Sequence, residues 1–362
     1  MSDCIIVGGG ISGLLCARLL ADHGLRVSLF DRIAFGRESS WAGGGILSPL
    51  YPWRYPDAVN ALAEYSQSAY PELATELRDE TGIDPEWERS GILVVDAEPA
   101  ADAWARRWNL ALERIPDAAV VAAIQPGLAV ATSELAWMPE IAQIRNPRLM
   151  KALLASIARR PSITCHPRSA VDEIVIEHGR VRGVRAGDTT HAGERVLITA
   201  GAWSKSLVPS GGGAQPEIFP VKGQMIVLQT APGTLVPMVL RAGRYLIPRR
   251  DGLVLVGSTL EHADYDKSTD RAARDSLAAF AAEAYPALAE APVVQHWAGL
   301  RPGAPDGVPY VGALPQAEGL YINAGHYRNG VVMGLGAAQL AVDLLLNRPP
   351  CVDSAPYAPT ER

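Results

Sequence analysis

The chain has 362 residues, 48% of them hydrophobic, and a formal net charge of −6. This length allows a large buried core and suggests about two domains, while the acidic balance argues against a nucleic-acid partner. The four cysteines, at positions 4, 16, 165 and 351, form no Cys-x-x-Cys pair. We therefore expect reduced thiols in a cytoplasmic protein, with neither a disulfide framework nor a metal site.

The N-terminal segment predicts neither export nor membrane insertion. It lacks the basic region that opens a signal peptide, and Arg18 interrupts its apolar stretch. No other part of the sequence contains the ~20 consecutive apolar residues that span a bilayer. We therefore expect no membrane partner.

The most informative segment covers residues 4–31. An apolar run at 4–7 enters the sequence Gly-Gly-Gly-Ile-Ser-Gly at 8–13, and a helical pattern follows. A second apolar run at 27–30 then ends at Asp31. Strand, glycine turn, helix, strand and acid follow one another in the order of a dinucleotide-binding fold.

Each position of this motif has a physical role in holding a dinucleotide. Gly8 permits the tight turn, Gly10 lets the backbone approach a pyrophosphate, and Gly13 lets the helix pack closely on the strands. The N–H groups at the helix start, together with the helix dipole, would hold the phosphates. Asp31 would accept hydrogen bonds from a ribose diol.

The next part of the chain is predicted to be mainly helical. Residues 36–56 form an irregular, partly buried loop, and a helix begins at the N-cap Asp57 and ends at Gly82. A strand is predicted at 90–95 and a helix at 100–115. Another helix, capped by Asn146 with proline in its first position, should run to residue 160.

The second half is predicted to be richer in strands. A β-meander is expected at 163–200, and a glycine bend at 210–213 marks a crossing between domains. An antiparallel sheet is predicted at 217–230, 236–247 and 253–260, a further strand at 293–300, and helices at 270–284 and 331–346. The strands at 4–7, 27–30, 196–199 and 320–324 are expected to share one sheet, so the chain leaves the nucleotide domain and returns to it twice.

Further motifs carry a resemblance to a known family. Besides the N-terminal motif, they are residues 39–45, 200–204, 220–224, 245–249, 297–303 and 325–330. With these segments the chain resembles, over nearly its whole length, the D-amino-acid-oxidase superfamily of flavoenzymes. Within that superfamily it is similar to the glycine oxidases associated with thiamine biosynthesis.

The resemblance implies an α/β fold in which two domains are interleaved. A Rossmann-like FAD-binding domain would comprise residues 1–50, 146–213 and 295–362, and an α+β substrate domain built on an antiparallel sheet would comprise 51–145 and 214–294. FAD is expected to be non-covalent, because the cysteine nearest the final motif, Cys351, lies past the last helix. The resemblance also implies a homo-oligomer, with a tetramer favoured.

The resemblance assigns Arg301 as the anchor of a substrate carboxylate, a role that suits the arginine fork. Tyr245 would be a second carboxylate contact, and Arg328 would lie near the pocket. From the residues alone, a surface salt bridge for Arg301 and a half-buried strand position for Tyr245 remain open. The residues expected to contact FAD are Gly8, Gly10, Ile11, Ser12, Gly13, Asp31, Arg32, Ser39, Ser40, Ala42, Gly43, Gly44, Gly45, Ile46, Val171, Ala200, Gly201, Trp203, His326, Arg328, Asn329, Gly330 and Val331.

The implied activity is FAD-dependent oxidative deamination of glycine, and also of sarcosine and small D-amino acids. Molecular oxygen would be the second substrate and hydrogen peroxide a product, and the imine would supply thiamine thiazole synthesis. One alternative is a D-amino-acid or sarcosine-type dehydrogenase on the same fold. A second alternative is an enzyme of tRNA nucleoside modification, which the acidic chain disfavours. A third is a non-catalytic FAD-binding protein, which the joint presence of Arg301, Tyr245 and Arg328 disfavours.

Overall fold

The computed structural model describes residues 1–129, 134–213 and 215–359. Within these residues the helices are α1 (Ile11–Asp22), α2 (Ser39–Ala42), α3 (Asp57–Thr81), α4 (Ala100–Arg107), α5 (Ala118–Ile124), α6 (Asn146–Ala158), α7 (Ser204–Leu207), α8 (Arg271–Ala284) and α9 (Gly334–Leu345). The strands are β1 (Cys4–Val7), β2 (Val27–Asp31), β3 (Ile92–Val94), β4 (Glu113–Ile115), β5 (Leu135–Met138), β6 (Ile163–Pro167), β7 (Glu173–Glu177), β8 (Arg180–Ala186), β9 (Thr189–Ala192), β10 (Val196–Ile198), β11 (Phe219–Gln229), β12 (Met238–Arg241), β13 (Arg244–Pro248), β14 (Leu253–Gly257), β15 (Val293–Gly303), β16 (Tyr310–Ala313) and β17 (Leu320–Ala324).

One sheet carries the predicted nucleotide motif. In the described residues its strand order is β16-β17-β10-β1-β2-β6. All neighbours are parallel except β16, which pairs antiparallel with β17. The four strands predicted to share a sheet do so. The strand at 163–167 was predicted to belong to the meander, which is wrong, because β6 pairs in parallel with β2 at the sheet edge.

The second large sheet has the order β15-β11-β14-β13-β12-β3-β5-β4 and is antiparallel apart from the β12–β3 pair. Its core, including Leu246 and Val256, is buried against α8. The predicted strand at 236–247 is a hairpin of β12 and β13. The domain boundary predicted at residue 295 falls inside β15, which pairs with β11 along its length.

A small antiparallel sheet, β7-β8-β9, forms the centre of the predicted meander. It packs beside the parallel sheet, where Ile174 and Val184 share a buried cluster with Ile5 and Ile198. The meander prediction is therefore confirmed for residues 173–192 alone, because the strands before and after them belong to the parallel sheet.

Three helix predictions need correction. The helix predicted at 100–115 ends at Arg107, because the chain turns at Asn109 with a φ of 49° and residues 113–115 then pair with β5. Asn146 starts α6 but does not cap it, since its side-chain amide donates to the Ser40 carbonyl at 2.9 Å. Asp57 is the first helical residue rather than the N-cap. Positions 130–133, 214 and 360–362 of the predicted domains lie outside the described residues.

Across residues 1–129, 134–213 and 215–359, no helix combines the length and apolar character needed to cross a membrane. The same residues contain no group of three or more His, Cys, Asp or Glu side chains arranged to hold a metal ion. The four cysteine thiols are unpaired.

The glycine turn after β1 is a point of very close backbone packing. A Cβ atom built on Gly13 would lie 1.9 Å from the Gly8 carbonyl oxygen and 2.8 Å from Thr199 Oγ1. The Thr199 hydroxyl donates to the same carbonyl at 2.7 Å. The contact between β1, α1 and the end of β10 therefore depends on the absence of a side chain at Gly13.

We expect Gly13→Ala to lower the free energy of unfolding by about 1–3 kcal/mol, the usual cost of overpacking. The matched control is Gly334→Ala, where the new Cβ would meet its nearest neighbour, Ile11 Cδ1, at 3.5 Å. Thermal unfolding should show a clear loss for Gly13→Ala and little change for the control. Equal melting temperatures for the two variants would contradict the close-packing argument.

Candidate active site

A cavity of about 350 Å³ is lined by residues from both large sheets. From the parallel sheet and its loops it takes Gly8, Asp31 and Val171, and from the antiparallel sheet it takes Tyr245 and Arg301. The predicted nucleotide motif and the predicted substrate residues therefore face one continuous space.

The nucleotide end of the cavity is fixed by hydrogen bonds to backbone N–H groups. The Ile11 N–H donates to Ser40 Oγ at 2.9 Å, which ties the start of α1 to α2. The carboxylate of Asp31 accepts from the N–H groups of Gly9 at 2.8 Å and Ile33 at 2.9 Å. Burial raises the pKa of Asp31, and these two hydrogen bonds oppose the rise.

An aromatic and ionic cluster lies beside this end. The guanidinium of Arg32 sits 3.6 Å above the centre of the Trp203 ring, and that ring stacks on Tyr265 with 5.4 Å between centroids. Glu38 pairs with both Arg32 and Lys267 at 3.1 Å. The segment between β14 and α8 therefore packs against residues beside the nucleotide motif.

A glycine segment lines the middle of the cavity with backbone. A Cβ atom on Gly43 would lie 2.8 Å from Asn146 Nδ2, and one on Gly44 would lie 2.8 Å from Ile247 Cδ1. Gly45 has a φ of 80°, and its Cβ position is 1.9 Å from the Ile144 carbonyl oxygen. Because no larger residue fits at these positions, a ligand here meets bare backbone.

Arg301 lies on β15 and is held by uncharged oxygens. Its Nη1 donates to the Lys222 carbonyl at 3.2 Å, and its Nη2 donates to Ser258 Oγ at 2.7 Å and to the Thr259 carbonyl at 3.3 Å. Burial lowers the pKa of Arg301, yet an arginine stays charged at neutral pH. A Cβ on Gly223 of β11 would lie 2.1 Å from Arg301 Nη2, so that glycine makes room for the guanidinium.

Tyr245 and Arg328 reach the same part of the cavity. The Tyr245 ring is 7% exposed and lies against Gly257, whose Cβ position is 2.7 Å from the phenol oxygen. Arg328 donates to the Gly243 carbonyl at 3.2 Å, at the tip of the β12–β13 hairpin. One further cation, Arg328, and the Tyr245 phenol therefore lie near Arg301, an arrangement suited to binding a carboxylate.

His326 contributes a buried, unpartnered nitrogen to the cavity. The residue is 3% exposed, and within the described residues its Nε2 atom has no hydrogen-bond partner. Such an atom is costly to bury unless a ligand supplies a partner. Burial lowers the pKa of His326 to about 4, so the ring is neutral at physiological pH.

The structure places most of the predicted site residues on the cavity wall. Arg301, Tyr245 and Arg328 line it. Gly13 and Asn329 do not, since Gly13 packs below the turn on Gly8 and Asn329 is buried, with its N–H bonded to the His326 carbonyl at 3.0 Å. The remaining predicted residues that line it are Gly8, Gly10, Ile11, Ser12, Asp31, Arg32, Ser39, Ser40, Ala42, Gly43, Gly44, Gly45, Ile46, Val171, Ala200, Gly201, Trp203, His326, Gly330 and Val331.

The sequence analysis missed several residues that hold this site. Ser258 and the Thr259 carbonyl bond Arg301, although both follow a strand with no recognisable motif. Asp96 bonds the Tyr51 hydroxyl at 2.7 Å and the Ala242 N–H at 2.9 Å, which fixes the hairpin tip beside Arg328. These contacts join residues more than 40 positions apart, so nothing local in the sequence signals them.

These observations fit FAD. The nucleotide motif can hold the pyrophosphate and ribose, and the bare backbone at 43–45 leaves room for a flat ring. The unpartnered Nε2 of His326 offers a hydrogen-bonding atom to it. With the adenosine end near Asp31, the redox ring would lie toward Gly44 and Tyr245. The fold and cavity therefore define an oxidoreductase that uses a flavin dinucleotide.

Comparisons with known proteins also indicate an FAD-dependent oxidoreductase. A model of the FAD-dependent oxidoreductase (DAO) family matches residues 3–344. The chain is 47% identical over 360 residues to the glycine oxidase of Pseudomonas aeruginosa, covering 99% of this chain and 98% of that protein. It is 31% identical to the bifunctional protein ThiO/ThiG of Synechocystis, covering 96% of this chain and 52% of that protein.

A solved structure is also similar. The crystal structure of glycine oxidase from Geobacillus kaustophilus matches with a TM-score of 0.93 at 28% identity, covering 100% of this chain and 99% of that one. The chain belongs to the FAD-dependent oxidoreductase (DAO) family, and it is an enzyme whose cofactor is FAD.

The lowered pKa of His326 predicts a pH-dependent stability. Between about pH 6.5 and pH 4 the unfolded chain binds a proton at this residue that the folded chain does not, so stability falls as the pH drops through that window. The effect is of order 3 kcal/mol. Denaturant unfolding of the apoprotein at several pH values should show a shallower slope for His326→Gln than for the wild type. The control is His178→Gln in an exposed turn, and an unchanged slope for His326→Gln would contradict the prediction.

Proposed function

We propose that this enzyme oxidises glycine, and also sarcosine and small D-amino acids, and passes the electrons to molecular oxygen. The observation that carries the proposal is Arg301, a partly buried cation on the cavity wall whose hydrogen bonds to the described residues go to uncharged oxygens. A partly buried charge that has no ion-pair partner among the described residues is unfavourable, so this site favours an anionic ligand.

A substrate carboxylate satisfies these requirements. The two oxygens of a carboxylate match the arginine fork, and each charge-assisted bond contributes roughly 1.5–3 kcal/mol. The Tyr245 hydroxyl supplies a further donor, and Arg328 adds positive charge at the same end of the cavity. With the carboxylate held there, the Cα–H bond of a small amino acid would point into the cavity middle lined by Gly44.

When bound, FAD would supply the acceptor for a hydride, and molecular oxygen would take up the two electrons and form hydrogen peroxide. The protein contributes orientation, because Arg301 and Tyr245 fix the carboxylate at one end of the substrate. The oxidised substrate is an imine, which water hydrolyses to glyoxylate and ammonia when the substrate is glycine. The imine would also serve thiamine thiazole synthesis, a role supported by the resemblance and by the ThiO/ThiG relative.

The substrate amine would enter deprotonated. The carboxylates that line the described cavity are Asp31, which accepts from backbone N–H groups, and Glu38, which pairs with Arg32 and Lys267. Both belong to the nucleotide end, and His326 is too weakly basic to take a proton at neutral pH. A neutral amine needs no protein base to lose hydride.

The finer properties of the holoenzyme are part of the same proposal. FAD would be non-covalent, in keeping with a described cavity lining that includes no cysteine. The residue pattern and the resemblance support a cytoplasmic homo-oligomer, with four subunits favoured. We expect Arg301, Tyr245 and Arg328 to contact the substrate, and Arg328 together with the other residues predicted to bind FAD to contact the cofactor.

The proposal predicts glycine-dependent oxygen consumption with equimolar peroxide, and a strong loss of substrate binding in Arg301→Ala. Losing a bidentate charge-assisted pair should raise KM by about 100-fold. Arg301→Lys should recover part of the loss, and Arg271→Ala, whose side chain is 88% exposed, should match the wild type. An unchanged KM in Arg301→Ala contradicts the anchor, and flavin that glycine reduces but oxygen does not reoxidise would identify a dehydrogenase.

A further inference from the structure

Arg249 makes the contacts of a structural clamp next to the cavity. Its Nη2 donates to the Gly44 carbonyl at 2.6 Å. Its Nη1 donates to Gln143 Oε1 at 2.7 Å and to the Ile144 carbonyl at 3.3 Å. One guanidinium therefore links the chain after β13 to the glycine segment and to the chain before α6.

The two segments that Arg249 joins also pair with each other. The Ile144 N–H donates to the Gly45 carbonyl at 2.8 Å, and the Leu47 N–H donates to the Ala142 carbonyl at 2.9 Å. These two hydrogen bonds leave the Gly44 carbonyl available to another donor. Arg249 is that donor. Residues 39–46, here called the flavin-wrapping segment, are thus fixed from two sides.

The position of Arg249 follows from strand geometry. Side chains two residues apart share one face of a strand, so Tyr245, Ile247 and Arg249 point the same way. All three meet the same glycine, because the Cβ position of Gly44 is 3.2 Å from the Tyr245 ring and 2.8 Å from Ile247. Strand β13 therefore carries Tyr245 and the apolar spacer Ile247, and the clamp Arg249 follows directly after it.

The charge of Arg249 is only indirectly balanced. Its three hydrogen bonds go to uncharged oxygens, and Glu86, Asp251 and Glu88 act on it through space. Burial lowers the pKa of Arg249 to about 10, which still leaves a cation at neutral pH. A positive charge thus lies directly behind the backbone that lines the flavin-ring end of the cavity.

We propose that Arg249 is a positioning residue that sets both the affinity for FAD and its reduction potential. Its fork holds the Gly44 carbonyl and so keeps the flavin-wrapping segment at the right distance from Tyr245. Its charge stabilises the negative charge that the flavin gains on reduction. The proposal goes beyond the oxidation of glycine, and its test needs no substrate.

The test compares three variants of the full chain. Arg249→Met removes the fork and the charge, and Arg249→Lys keeps the charge but replaces the fork with a single ammonium. Arg250→Met is the matched control, because the adjacent Arg250 forms surface ion pairs with Asp84 and Glu88. The measurements are the Kd of the apoprotein for FAD, the two-electron midpoint potential of bound FAD and the melting temperature of the apoprotein.

We expect Arg249→Met to raise the Kd for FAD at least tenfold and to lower the midpoint potential by about 30 mV, a tenfold change in the reduction equilibrium. Arg249→Lys should raise the Kd but keep the wild-type potential, and Arg250→Met should change neither. If Arg249→Met lowers the melting temperature of the apoprotein but keeps the wild-type Kd and midpoint potential, Arg249 only stabilises the fold. That result would overturn the proposal. If Arg249→Met fails to fold, Arg249→Lys provides the test. A raised Kd for FAD in Arg249→Lys would support the proposal, and an unchanged Kd would overturn it.

Discussion

The partly buried guanidinium of Arg301 is the constraint on which the rest of the site depends. It lies on the wall of a cavity that both large sheets line, and its hydrogen bonds to the described part of the chain go to carbonyl and hydroxyl oxygens. Such a group is stable because several dipoles are turned toward it, and it becomes better satisfied when an anion arrives. The carbonyls of Lys222 and Thr259 and the Ser258 hydroxyl are therefore as much part of the site as the arginine.

Glycines on neighbouring strands make this arrangement possible. Gly223 of β11 would collide with the Arg301 guanidinium if it carried a Cβ atom, and Gly257 of β14 would collide with the Tyr245 phenol. The two side chains proposed to bind the substrate thus lie close against neighbouring backbone. The same principle operates at Gly13 and Gly44, where the absence of a side chain lets helix, strand and ligand come close.

The features of the fold and site that the sequence predicted are encoded in local residue patterns. Glycines and an acid at fixed spacing, framed by two apolar runs, identify the nucleotide motif because its geometry is contained in one continuous segment. Strand-type residue patterns likewise predict the strands around Tyr245 and Arg301. The helix predicted at 100–115 was wrong beyond Arg107, because residues 113–115 find a strand partner that their own sequence does not specify.

The contacts that the sequence did not predict are long-range. β6 has a strand pattern that suits a hairpin, yet it pairs in parallel with β2, more than 130 residues earlier. Ser258, Asp96 and Arg249 have ordinary sequence surroundings and acquire their roles only when the hairpin and the loops are in place. A serine or an arginine after a strand has many possible partners, and tertiary packing selects one of them.

A substrate carboxylate anchored at Arg301 is expected to direct the Cα–H bond of a small amino acid toward bound FAD. The most direct measurement mixes the holoenzyme with glycine in the absence of oxygen and follows the visible flavin absorbance, using ordinary and dideuterated glycine. Full bleaching of the flavin absorbance is expected. Bleaching should be slower with the deuterated substrate, because the Cα–H bond breaks when the flavin is reduced. A flavin that stays oxidised with glycine would contradict this expectation.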